Sequence, residues 1–220
     1  MTLYRILAIV SFLAIIGGVS FSLRTRASVW SGFWEWVGQQ WDDALSTITN
    51  FRNLNFSDTI HVLQKLLYII TLLCVIGMIL SGFLPVIFAG ANLGGFLLVI
   101  HATISPIFAV SIALLVLISA HSHRFNDQDW ATLNTLFSKD TSRTVSRAQF
   151  GQKVCYWLLV VFSIPVITSI LFSMYPIFGT EGQENLLQLH RYSTLLFVII
   201  ASLYSYLMVI AHRTQDEELS

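Results

Sequence analysis

Apolar residues dominate five long stretches of this chain: Leu3 to Phe21, Ile60 to Leu80, Gly95 to Ala120, Val154 to Met174 and Leu186 to Ala211. Crossing the ~30 Å of bilayer hydrocarbon takes about 20 residues of α-helix, so each stretch is a candidate span. Membrane β-strands are shorter and alternate apolar with polar positions, which these runs do not. The pattern therefore predicts an all-α membrane protein. Pro106 and Pro165 fall inside spans and are expected to kink them, because each removes a backbone donor that a neighbour must replace. No internal repeat or low-complexity tract is visible in the sequence.

Composition agrees with that reading and narrows it. Of 220 residues, 55% are hydrophobic and 11% charged, with a mean hydropathy of +0.71. Soluble domains carry about 25% charged residues, so water is the wrong solvent for this chain. Lys and Arg total 12, as do Asp and Glu, which gives no basic excess for a nucleic acid to recognise. Location is more telling than the sum. If five spans alternate, Arg24, Arg26, Arg52, Arg124, Lys139, Arg143, Arg147, Lys153 and Arg213 share one side, and Arg5, Glu181 and Glu184 the other. The basic side is expected to be cytoplasmic. This predicts a multi-pass protein of the cell inner (cytoplasmic) membrane, N-terminus outside and C-terminus inside. No convincing small-residue cleavage pattern follows the first span before Arg24, so it reads as an uncleaved anchor.

Between the first two spans, Trp30, Trp34, Val37, Trp41, Leu45 and Ile48 recur at helical spacing among polar residues. This predicts an amphipathic helix along the membrane surface, where the tryptophan ring and its N–H each find a suitable solvent. A docking helix for a partner subunit is the alternative. Cys74 and Cys155 lie in apolar stretches without metal-ligand spacing and are expected to be packing residues. Proline-broken spans also occur in transporters, but no acidic residue lies deep in any span and no inverted repeat supports that reading.

Ionisable groups inside a membrane are costly and mark functional sites by default. Six histidines therefore matter: His61, His101, His121, His123, His190 and His212. His101 and His190 lie at a similar depth from the outer side, in the third and fifth spans. Two imidazoles from separate helices at one level suit the axial positions of a haem, and the absence of CxxCH points to non-covalent haem b. The plainer alternative is that each imidazole hydrogen-bonds a neighbouring helix. His121, His123 and His212 read as hydrated interface residues.

Several segments then resemble the four-helix cytochrome b (gamma) subunit family of formate dehydrogenase and nickel-iron hydrogenase, a cytochrome b561-like architecture. The resemblance runs from about Asp58 to His212. Thr59-Ile60-His61-Val62 is similar to the first core helix, although the family has Arg before and Trp after the ligand histidine. His101 resembles the second-helix ligand. His121-Ser122-His123-Arg124-Phe125-Asn126-Asp127 through Trp130 resembles the polar inner loop. Gln149-Phe150-Gly151-Gln152-Lys153 before Tyr156-Trp157 resembles the Tyr-Asn-x-Gly-Gln-Lys entrance to the next helix, and Leu189-His190-Arg191-Tyr192 the last ligand segment.

The resemblance implies a four-helix transmembrane haem-binding bundle over 59–212, plus an extra N-terminal transmembrane helix (1–22), an interfacial linker (23–58) and a polar tail (213–220). It implies haem b on His101 and His190 and a quinone site near Gly151, Gln152 and Lys153. A second haem would use His61, with Tyr204 or its neighbour Tyr206 standing where the family has its partner histidine, and His212 able to substitute only on a shift of helix register. The implied partners are membrane lipid, quinone and an iron-sulfur or other redox subunit. The implied function is electron transfer between that subunit and the quinone pool. A stand-alone cytochrome b561-like quinol oxidoreductase and a haem-free membrane anchor or assembly scaffold remain open alternatives.

Overall fold

The computed structural model describes residues 2–25, 38, 41–42, 46, 56–135, 144–175 and 177–219. Every regular element among them is helical. Helix α1 covers Thr2–Thr25 and α2 covers Phe56–Leu84, running straight into a π-helical turn at Pro85–Ala89. Then come α3, Gly95–Ser119, the short α4, Asp127–Thr135, and the long α5, Thr144–Ser173, and α6, Gly179–Leu219. Five of these are long and apolar enough to cross a membrane. The chain is an all-α, multi-pass membrane protein.

The helices overrun the apolar stretches that announce them. At 41 residues, α6 measures about 62 Å along its axis, twice the hydrocarbon thickness. It begins seven residues before the apolar run and continues to Leu219, so the segment expected as a polar tail is helical. Leaving the membrane does not break a helix, because its backbone hydrogen bonds are internal on both sides of the boundary. Helix α2 likewise passes Leu80. It ends where Pro85 opens the π turn and Gly90, at φ 61°, adopts the left-handed conformation that favours glycine, its N–H bonding Pro85 O. Pro106 and Pro165 both lie within continuous helices.

The chain divides into two compact units, one holding residues through Leu13 with α2, the π turn and α3, the other holding the rest of α1 with α4, α5 and α6. In the first, α2 packs on α3. Gly77 allows this approach, since a Cβ there would meet Ile104 Cδ1 at 2.9 Å. Gln64 Nε2 donates to Ser119 Oγ at 3.1 Å, joining the first turns of α2 to the last turn of α3. Tyr4, Ala8 and Phe12 form one face of α1, and both rings meet Phe83, Phe12 edge-on at 5.1 Å. Arg5 completes the contact, donating from Nε and Nη2 to Ile87 O at 3.2 and 2.9 Å.

In the second unit α5 packs on α6. Gly151 meets Leu207, and Gln152 Nε2 donates to Leu207 O at 2.9 Å. Helix α4 starts in a reciprocal capping box: Asp129 N–H donates to Asn126 Oδ1 at 2.9 Å and Asn126 N–H to Asp129 Oδ2 at 2.7 Å. The same carboxylate holds Lys153 at 2.6 Å, tying α4 to the start of α5. Cys74 and Cys155 are buried thiols, as their apolar settings predict. Only 11 to 28% of the residues in each spanning window are buried, so lipid is the covering that the remaining apolar surface requires.

Candidate functional site

His101 stands two turns into α3, against the last turns of α2. Its Nδ1 lies 2.9 Å from Ser81 Oγ, and the backbone of Met78 is a second hydrogen-bond partner. The imidazole comes so close because residue 82 is glycine: a Cβ there would sit 3.2 Å from His101 Cε1. Ser81 is 3% exposed, and its hydroxyl donates to Gly77 O at 2.8 Å. A serine hydroxyl has one proton. With that proton on the carbonyl, Ser81 Oγ can only accept from the ring, so His101 carries its proton on Nδ1.

His190 repeats the arrangement in the other unit. Its Nδ1 lies 3.0 Å from Val166 O and 3.3 Å from Ser169 Oγ, both on α5. A carbonyl accepts and never donates, so this ring too is protonated at Nδ1. Ser169, 1% exposed, donates to Val166 O at 3.1 Å. In each unit, then, a carbonyl and the serine three residues later hold the histidine of the following helix. The sequence separations are 20 residues for Ser81 and His101 and 21 for Ser169 and His190. This shared device is invisible as a repeat, because only the serine and histidine recur.

With Nδ1 protonated, the lone pair of each ring resides on Nε2. Metal-bound histidines characteristically donate their second ring N–H to a carbonyl or similar acceptor, which orients the ring and raises its basicity as a ligand. A further feature lies one helical turn past His190: Thr194 Oγ1 is buried and, among the described residues, is the buried side-chain oxygen or nitrogen lacking a hydrogen-bond partner. Such an orphaned group costs about 1–3 kcal/mol. Ring chemistry and orphaned hydroxyl both fit a bound cofactor in this region of α6. Imidazoles held in this way have the chemistry that haem iron takes as a ligand.

The other expected positions have different company. His61, at the start of the second span, is exposed, as is His121. The side chain of His212 lies outside the described residues, as does most of the Trp-rich linker. Trp41, which is described, is helical and exposed. Tyr204 points its hydroxyl at His123 Nε2, 3.4 Å away. His123 has a packing role that the sequence does not predict: its ring stacks on Tyr156 with centroids 3.9 Å apart, and Trp157 Nε1 donates to its carbonyl at 3.0 Å. The Tyr156-Trp157 pair was the available sequence signal for that cluster. Gly151 and Gln152 serve the α5 and α6 contact, while Lys153 engages Asp129 rather than snorkelling to headgroups. No family model, curated protein or solved structure matches the chain.

Proposed function

We propose that this protein is a b-type cytochrome of the inner membrane, carrying electrons between a redox partner subunit and the quinone pool. The observation that carries the reading is the matched pair of Nδ1-anchored imidazoles, His101 and His190, each inside a spanning helix. In this reading each would hold haem iron through Nε2. Bound haem supplies reversible one-electron chemistry. The chain's own part is to fix the rings: α2 orients His101 through Ser81 and Met78, and α5 orients His190 through Val166 and Ser169. The surrounding apolar residues exclude water and so influence the potential.

One haem rather than two is the reading favoured by Tyr204, whose hydroxyl engages His123, and by the exposure of His61. Quinone exchange is assigned to the basic side, near Gly151, Gln152 and Lys153. That side is taken as cytoplasmic from the distribution of Arg and Lys. The test is a reduced-minus-oxidised spectrum of detergent-purified protein after haem-supplemented expression. A b-type α band that appears with dithionite and with a short-chain quinol is expected. No band in either case rejects the reading.

A further inference from the structure

We propose that Ser81 and Ser169 are positioning residues, each accepting the Nδ1–H of the histidine on the following helix so that the lone pair lies on Nε2, the nitrogen that would hold haem iron. The inference deepens the haem reading and specifies which atoms of the protein set it up. Both serines are almost fully buried, at 3% and 1% exposure. Both spend their own proton on a carbonyl of their own helix, at 2.8 Å for Ser81 and 3.1 Å for Ser169. Serine in a spanning helix ordinarily does no more than this. Here the oxygen has a second task, because the imidazole of another helix sits against it.

The two positions differ in strength. At His101 the serine oxygen lies 2.9 Å from Nδ1. At His190 the carbonyl of Val166 is nearer, at 3.0 Å, than Ser169 at 3.3 Å. Losing Ser81 should therefore disturb its ring more than losing Ser169. Neutral imidazole in water exists as both tautomers, so the anchor decides which nitrogen is available. Weakening it also lowers the basicity of the ligand nitrogen, which favours reduced iron and raises the potential.

The test begins without haem. Purified protein carrying nitrogen-15 histidine is studied by NMR at a pH well above ~6.5, where an ordinary imidazole is neutral, and the two rings are assigned from H101Q and H190Q. Both are expected as the Nδ1–H tautomer. Ser81→Ala should cost His101 most of that tautomer, Ser81→Thr should keep it, and Ser169→Ala should cost His190 less. Finding Nε2–H in the unsubstituted protein, or no change at His101 in S81A, overturns the proposal. In haem-loaded protein, S81A should raise the midpoint potential and S81T should restore it. An unmoved potential removes the tuning role. Absence of haem with the tautomers as predicted sinks the cytochrome reading and leaves the anchoring intact.

Discussion

Residue 82 has to be small, because the imidazole of His101 lies across it. Gly82→Val should displace the ring and lower haem occupancy, whereas Gly77→Ala, which meets only the mobile end of Ile104, should leave it near normal. Overpacking of this kind costs about 1–3 kcal/mol. Haem per mole of folded protein distinguishes the two. An equal loss in both variants would show a general packing defect rather than a ligand effect. His101 and His190 stand out in the sequence because imidazoles are rare and costly in hydrocarbon. Ser81 and Ser169 do not, since a serine in a spanning helix looks the same whether it bonds only its own backbone or a second group as well. The stacking of His123 on Tyr156 is hidden for a related reason: it depends on how the neighbouring polar loop folds back.

At the scale of the element, hydropathy reveals where helices cross and says little about where they end. The apolar runs locate all five spans, yet α2 extends through Leu84 into the π turn and α6 to Leu219. The end of α2 is set by Pro85, by Gly90 and by an arginine 82 residues earlier in sequence from the carbonyl it caps. Arg5→Ala should therefore destabilise the junction of α1 with the turn by about 1–3 kcal/mol, the range for leaving a part-buried acceptor unpaired. Unfolding in mixed micelles measures the loss, and Arg5→Lys should recover part of it. Further along the chain, Asp129→Ala should cost more than Lys153→Ala, because the carboxylate both caps α4 and binds the lysine. The cap alone is worth about 1 kcal/mol. Equal costs would mean that the capping box contributes nothing.

For the whole molecule, an unusually low charge content and long apolar runs fix the solvent, and the solvent fixes the class: in hydrocarbon, helices must satisfy their own backbone. Five candidate crossings, with most Arg and Lys falling on one side of them if they alternate, underlie the proposal that the basic loops face the cytoplasm. A fluorescent-protein fusion at Ser220 should be bright and an alkaline phosphatase fusion there inactive; the reverse would invert the topology and move the quinone site to the other face. What function the protein has depends on whether its two half-buried imidazoles, His101 and His190, hold iron. The direct measurement is a pyridine haemochrome assay on the wild type, His101→Ala, His190→Ala and His61→Ala. Bound haem should be largely lost in each of the first two variants and retained in the third. Unchanged haem in His101→Ala or His190→Ala would contradict the account.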